Sequence, residues 1–172
     1  MKKPRPTEWL WAPWRLPYIR EASKTEAPSD CFFCDYKKAP RDDRQNLVLL
    51  RGKACFVVLN KYPYTGGHLM VAPLSHTADL DLLRPAQRAE MMELAARMEI
   101  LLKKTLKPQG FNVGINLGRP AGAGLPGHVH LHIVPRWNGD VNFMTSTGNV
   151  RVIPQGLLDL YDELKAALPP RR

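Results

Sequence analysis

The residues best suited to chemistry in this 172-residue chain are three histidines in the segment 127–135. His128, His130 and His132 alternate with aliphatic residues, of which Val129 is the first. This period of two is typical of a strand, on which the three imidazoles project from one face and the aliphatic side chains from the other. Three of the chain's five histidines therefore lie within five residues, which indicates a functional site.

Imidazole in this arrangement suits attack on phosphorus. Its pKa of about 6.5 leaves it neutral and nucleophilic near pH 7, and a phosphohistidine-type intermediate divides one displacement into two easier steps. The middle residue, His130, is flanked on both sides by groups that can orient its ring. The preceding loop, 118–127, contains four glycines whose backbone amides can bind an anion. The alternative is a metal site, because His-x-His on a strand also holds zinc in some enzymes.

The elements that must position these histidines are strands grouped around one long helix. Alternating or β-branched segments, bounded by Gly, Pro and Asn, predict strands at 47–50, 55–60, 68–73 and 111–117, with the histidine segment as the fifth. Apolar residues at three- and four-residue spacing predict a long helix at 84–106 and a short one at 155–168. Consecutive strands around one helix favour an α+β fold with an antiparallel sheet of about five strands.

The chain divides into one domain with an extension at each end. Residues 1–30 form a predicted arm and linker, in which Trp9, Trp11 and Trp14 are separated by prolines that exclude a long helix. Large aromatic side chains need burial, so we expect this arm to lie across its own domain or a neighbouring subunit. Residues 31–145 are the predicted domain, and residues 146–172 are a C-terminal extension with the short helix.

Charge narrows the class of partner. Lysine and arginine outnumber aspartate and glutamate by 25 to 16, a net charge of +9 that predicts an anionic partner. The basic residues are scattered without a nucleic-acid-binding motif, which favours a small polyphosphate over nucleic acid; a merely basic surface fits equally well. No apolar run matches a membrane span and no secretory signal follows the basic N-terminus, so we expect a cytoplasmic protein without a membrane partner.

The histidine segment resembles the motif of the histidine triad (HIT) family of nucleotide hydrolases and transferases. That motif is His-x-His-x-His followed by two hydrophobic residues, present here at 128–134. Residues 59–73 look like the family's nucleotide-binding strand pair. Residues 135–143, together with the Trp-rich arm, are most similar to the bacterial branch that contains diadenosine tetraphosphate phosphorylases. The resemblance covers about 31–137 and implies a HIT-like fold.

The resemblance implies a role for several individual residues. His130 would attack the α-phosphorus to give a nucleotidyl-histidine, while His128 and His132 would position its ring and the phosphate. The nucleotide would be bound by a second group of residues, which comprises Asn60 at the ribose, His68 in support, Asn116 near the phosphates, and Gly122 and Gly124 in the glycine loop. A turn-capping amide remains the alternative for Asn60, and a contact to the loop backbone remains the alternative for Asn116.

The implied activity is cleavage of a dinucleoside polyphosphate, by phosphorolysis or by hydrolysis. Where relatives carry Gln-Ser/Thr-Val before the triad, this chain has Gly-Leu-Pro-Gly at 124–127, so one side-chain contact is missing. That departure leaves a phosphoramidase-type hydrolase as an alternative. A protein that binds nucleotide or nucleic acid without turnover is a second one. Family members commonly pair as dimers, so a homodimer or higher oligomer is expected, with magnesium arriving only with the substrate.

A pair of cysteines predicts a separate metal site. Cys31 and Cys34 are spaced to bind one ion but supply only two of the four ligands that zinc usually takes. Zinc-containing members of the family complete the set with a histidine that matches His76 and with the first triad histidine, His128. The zinc would be structural and would leave His130 free of metal. The alternative is two reduced cysteines buried as small apolar residues, as is expected for Cys55.

Overall fold

A computed structural model describes residues 31–140, 153 and 155–169 of the chain. The predicted arm at 1–30, and the part of the chain from 141 to 152, lie outside the described residues. The described part is an α+β structure with a five-stranded antiparallel sheet, which confirms the predicted fold class. None of its helices combines the length and the apolar character that a membrane span requires.

The elements follow one another in an order close to the predicted one. They are α1 (Phe32–Lys38), β1 (Val48–Arg51), β2 (Cys55–Leu59), β3 (Leu69–Pro73), α2 (Pro85–Thr105), β4 (Gly110–Ile115), β5 (Leu131–Arg136) and α3 (Leu157–Ala167). Short 3-10 turns lie at Pro40–Asp42 and Arg119–Ala121. Strands β1 to β4 and the two predicted helices differ from their expected bounds by one or two residues at most ends.

The sheet has the strand order β1-β2-β3-β5-β4, and every neighbouring pair is antiparallel. Strands β2 and β3 are buried throughout. Helix α2 covers the sheet with a stripe of buried side chains, which are Met91, Leu94, Met98, Leu101 and Leu102. The histidine strand β5 is therefore central, paired with β3 on one side and with β4 on the other.

One contact caps the start of α2, and another joins the helix to the sheet. The helix begins with Pro85 in its first turn, and the side chain of Gln87 accepts a hydrogen bond from the Arg84 amide at 2.9 Å. Further along, the carboxylate of Glu90 accepts hydrogen bonds from two amides of the turn between β1 and β2, each at 2.6 Å. The helix that covers the core thus also fixes the turn at the start of β2.

The histidine strand is shorter than predicted. The prediction placed a strand at 127–135, whereas β5 begins at Leu131, so His128 and His130 precede the ladder. The physical reason lies in the pairing partners: β4 ends at Ile115, the partner of Leu131, and the amide of Val129 donates to the carbonyl of Thr77 at 2.7 Å rather than to a strand. The residues before Leu131 therefore lie outside the sheet.

Helix α1 is absent from the prediction, which described only one long and one short helix. It starts directly after Cys31 and carries Cys34, with Phe33 and Tyr36 buried. Seven residues rich in aromatic side chains have little intrinsic tendency to form a helix, so tertiary contacts must hold this one. Its importance lies in the three-residue spacing of the two cysteines, which a helical turn places on one face.

Candidate active site and metal centre

The three predicted histidines lie side by side next to the end of β3. The ring centroids of His130 and His132 are 4.8 Å apart, and those of His128 and His130 each lie about 5 Å from the ring of Phe33, at 5.0 and 5.2 Å. Phe33 is fully buried and contacts Phe56 of β2 as well. Helix α1 thus supplies an aromatic ring that packs against two of the three imidazoles.

The orientation of the His130 ring is fixed by a backbone group. Its Nδ1 lies 2.8 Å from the main-chain carbonyl oxygen of His128, and a carbonyl can only accept, so Nδ1 carries the proton. Nε2 is then left with its lone pair. The only fully buried side-chain N or O atom without a partner in the described part is Thr77 Oγ1, so Nε2 of His130 still reaches accessible space. The ring presents a nucleophilic nitrogen.

His132 is oriented by a second histidine, His68, which precedes β3. Their nitrogens, Nε2 of His68 and Nδ1 of His132, are 3.0 Å apart. His68 follows a turn that requires glycine: Gly67 has φ of +78°, and a Cβ there would lie 2.6 Å from a methyl carbon of Leu106. The backbone amide of Tyr64 donates to Nδ1 of His68 at 3.2 Å. His68, predicted to support the site, thus contacts the triad directly through His132.

Burial keeps these histidines neutral. It lowers the pKa of His68 to about 3 and the pKa of His132 to about 4, and neighbouring imidazoles add to both shifts. Burial also lowers the pKa of His130, and the hydrogen bond to the His128 carbonyl opposes part of this shift by raising the pKa. Burial lowers the pKa of His128 to about 4. A neutral imidazole is the form that a nucleophile or a metal ligand requires.

The glycine loop precedes the triad in the chain and is held by its own hydrogen bonds. Gly122 adopts a left-handed conformation with φ of +90°, and its amide donates to the Arg119 carbonyl at 2.9 Å. The side chain of Asn116 donates to the Gly122 carbonyl at 3.4 Å. The contact of Asn116 is therefore with the loop backbone, the alternative given for it. Within the described residues, Gly124 has no such internal hydrogen bond.

Four residues form a compact group of potential metal ligands. They are Cys31, Cys34, His76 and His128, whose ligand atoms all lie within 4.8 Å of one another. Nδ1 of His128 is 3.2 Å from Sγ of Cys31, and Nδ1 of His76 is 3.3 Å from Sγ of Cys34. The structure thus brings together all four positions of the predicted site.

The chemistry of this group fits zinc. Two thiolates and two imidazoles make a four-ligand set that is typical of structural zinc sites. Nε2 of His128 is 2.9 Å from the carbonyl oxygen of Pro73, so it carries the proton and Nδ1 has its lone pair facing the sulfurs. Burial raises the pKa of Cys31 to about 11, so metal binding would have to displace a thiol proton.

Three residues of the site were not predicted from the sequence. Phe33 packs against the imidazoles, and Pro73 orients His128 through its carbonyl. The backbone N–H of Tyr64 donates to His68, and its ring packs 4.6 Å from that imidazole. Two of these act through backbone groups, which carry no residue-type signal. The third reads in the sequence as an ordinary core aromatic.

Comparison with known proteins yields one family. A family model described as HIT domain matches residues 41–139. A protein of Mycobacterium tuberculosis named AP-4-A phosphorylase is 42% identical over 153 residues, which are 87% of this chain and 78% of that relative. The crystal structure of a zinc-bound histidine triad family protein from Mycobacterium smegmatis covers 80% of this chain and 92% of its own, with a TM-score of 0.65 and 30% identity. A hypothetical histidine triad nucleotide-binding protein from Sulfolobus tokodaii, at 23% identity, aligns over 80% of this chain and 91% of its own with a TM-score of 0.63 and shares the fold.

Proposed function

Because this chain belongs to the HIT domain family, we propose that it cleaves dinucleoside polyphosphates through a nucleotidyl-histidine formed on His130. One observation carries the proposal. The proton on Nδ1 of His130 is committed to the His128 carbonyl, which leaves Nε2 as the nucleophilic atom. The relative from Mycobacterium tuberculosis whose name is AP-4-A phosphorylase supports the choice of substrate class.

In the first step, Nε2 of His130 attacks the α-phosphorus of one nucleotide. A P–N bond forms, the P–O bond to the β-phosphate breaks, and the rest of the substrate leaves as a nucleoside polyphosphate. The attacking ring of His130 gains a positive charge, which the His128 carbonyl stabilises through the hydrogen bond from Nδ1. We propose that the N–H of His132 and the backbone amide of Gly124 contact the phosphate oxygens.

In the second step, an acceptor oxygen attacks the same phosphorus and the P–N bond breaks. Inorganic phosphate as acceptor releases a nucleoside diphosphate, so diadenosine tetraphosphate yields ATP and ADP. Water as acceptor yields ATP and AMP. We propose phosphorolysis, supported by the name of the relative that is 42% identical, AP-4-A phosphorylase. Magnesium, where it takes part, would arrive on the substrate's phosphates.

The metal group belongs to the proposal as a support for the active site. Cys31, Cys34, His76 and His128 would hold zinc, and the ion when bound would supply a cross-link between α1 and the segment before β5. Residues of the chain itself also support the site: Phe33 packs on the rings of His128 and His130, and the carbonyl of His128 orients His130.

We also propose that the chain is a cytoplasmic homodimer, paired through β4. This strand lies at one edge of the sheet, and its side chains are half-buried or exposed, with Val113 49% exposed. An exposed edge strand of this kind is a surface on which a second copy can add its own strand. Light scattering on the purified chain tests this point, and a monomer at high concentration would contradict it.

Product analysis tests the proposed reaction. The purified protein is incubated with diadenosine tetraphosphate, with and without inorganic phosphate, and the nucleotides are separated by chromatography. We expect ATP and ADP when phosphate is present, and no products from the His130→Gly variant. ATP and AMP under both conditions would replace phosphorolysis by hydrolysis. Intact substrate together with tight binding of it would favour the non-catalytic alternative.

A further inference from the structure

We propose that Asn60 is a positioning residue, which together with the backbone amide of Tyr64 fixes the direction of the hydrogen bonds that run from His68 to His132. The inference deepens the proposed function and rests on it for the role of His132 in the reaction. Its structural part, the location of the protons on the two rings, stands independently of turnover.

The first step concerns the side-chain amide of Asn60. Its Oδ1 accepts a hydrogen bond from the backbone amide of Tyr62 at 2.9 Å. That contact identifies the oxygen, because a backbone N–H can only donate. The other end of the amide, Nδ2, must therefore be the donor that faces Nδ1 of His68 at 3.3 Å.

The second step concerns the proton on His68. Its Nδ1 receives two donors, the Asn60 amide and the backbone N–H of Tyr64 at 3.2 Å. An imidazole nitrogen that accepts has no proton, so the proton of this neutral ring lies on Nε2. The pKa of His68, lowered to about 3 by burial, excludes a second proton at neutral pH.

The third step concerns the proton on His132, which follows from the position of the proton on His68. Nε2–H of His68 donates to Nδ1 of His132, which leaves His132 with its own proton on Nε2. That Nε2 has no hydrogen-bond partner in the described residues and is not a buried orphan, so it reaches accessible space. The rings of His132 and His130 are 4.8 Å apart. His132 thus offers a hydrogen-bond donor beside the nucleophilic nitrogen.

His130 and His132 then present opposite hydrogen-bonding groups, one an acceptor and the other a donor. His130 presents a lone pair because its Nδ1–H is bound to a carbonyl, whereas His132 presents an N–H because its Nδ1 is bound to a donor. A lone pair attacks phosphorus, and an N–H stabilises the oxygens around it. Asn60 is the side chain at the start of this chain of hydrogen bonds. A ribose hydroxyl bound by Asn60 would therefore contact the same side-chain amide that donates to the His68 ring.

The variant that tests this is Asn60→Asp, which has nearly the same shape but cannot donate. A carboxylate facing Nδ1 of His68 should draw a proton onto that nitrogen. Asn60→Ala removes one of the two donors to Nδ1 of His68 without adding an acceptor, and the Tyr64 amide remains as the other donor. The matched control is Asn112→Asp on β4, where the side-chain oxygen accepts a hydrogen bond from Arg136 that a carboxylate also accepts.

Nitrogen-15 NMR of the imidazoles, with no substrate present, gives the structural readout. We expect an unprotonated Nδ1 on His68 in the wild type and in Asn112→Asp, and a protonated Nδ1 in Asn60→Asp. In steady-state kinetics, Asn60→Asp should lower kcat about tenfold or more with a much smaller change in KM, as loss of a positioned donor predicts. Asn60→Ala should lower kcat less.

Two results would overturn the inference. One is a wild-type His68 with its proton on Nδ1, which would reverse the order of the hydrogen bonds. The other is a rise in KM alone, equal in Asn60→Asp and Asn60→Ala, with unchanged nitrogen shifts; this would make Asn60 a ribose contact only. Loss of the proposed function itself would appear differently, as an inactive wild type with the expected nitrogen shifts.

Discussion

The main-chain carbonyl oxygen of His128 accepts a hydrogen bond at 2.8 Å from Nδ1 of His130. The side chain of the same His128 points the other way, with Nδ1 3.2 Å from the sulfur of Cys31. One residue thus belongs to the metal group through its side chain and supports the proposed nucleophile through its backbone. Displacement of its side chain would move the carbonyl that orients His130.

Zinc binding should depend on Cys34 and should affect the active site. We expect about one equivalent of zinc in the protein as isolated. Cys34→Ser should lose most of it, because three ligands hold zinc less tightly than four, and should have a lower melting temperature. The measurement is metal analysis together with thermal unfolding. Cys55→Ala is the matched control, since that buried cysteine lies outside the group and its loss should leave zinc in place.

Chelation gives a further readout of the same prediction. Removal of zinc from the wild type should change the NMR signals of His130 as well as those of His128, because the two are joined by the carbonyl contact. A preparation with less than about a tenth of an equivalent of zinc would contradict the metal assignment. It would favour two reduced, buried cysteines.

Phe33 should be far more important for stability than its neighbour Phe32. Phe33 is fully buried between the sheet and the rings of His128 and His130, so Phe33→Ala should lower the free energy of unfolding by about 3–5 kcal/mol. Phe32 is 37% exposed, and Phe32→Ala should cost much less. Urea unfolding of both variants measures the difference. Equal losses would show that α1 does not pack as described.

Acid should destabilise the fold partly through His68. The unfolded chain protonates this histidine below about pH 6.5, whereas burial lowers the native pKa to about 3. The unfolded state therefore binds more protons between these values, so the free energy of unfolding falls as the pH falls from about 6.5 towards 3, by up to about 1.4 kcal/mol per pH unit.

His68→Gln isolates this contribution. The variant lacks the titrating ring, so its stability should fall less steeply between pH 6.5 and 5 than that of the wild type, by about the slope of one proton. Urea unfolding at several pH values provides the measurement. Parallel pH profiles for the two proteins would contradict a neutral, buried His68.

Much of the fold and most of the site follow from residue types and spacing. The period of two in the histidine segment predicts a common face for His128, His130 and His132, and the helical spacing predicts α2. The family resemblance adds His76 to the cysteine pair, and the structure groups these residues as expected. These predictions succeed because alternation and ligand type are properties of the sequence itself.

The remaining features depend on partners that are distant in the chain. The start of β5 is set by where β4 ends, at the partner of Leu131, and by the bond of Val129 to Thr77 instead of to a strand. Proton positions on His130 and His68 depend on a main-chain carbonyl, the Tyr64 amide and the distant side chain of Asn60, and the backbone groups among these carry no residue-type signal. Helix α1 is too short for propensity to identify, and only its packing explains it.

Capture of the covalent intermediate tests the central claim most directly. The protein is mixed with diadenosine tetraphosphate and quenched at short times in alkali, in which the P–N bond of a nucleotidyl-histidine is stable. Its intact mass and its peptide masses are then measured. We predict a gain of one adenylyl group on the peptide that carries His130, absent from His130→Gly. Turnover by the wild type without any adduct, or an adduct of the same size that persists in His130→Gly, would contradict the account.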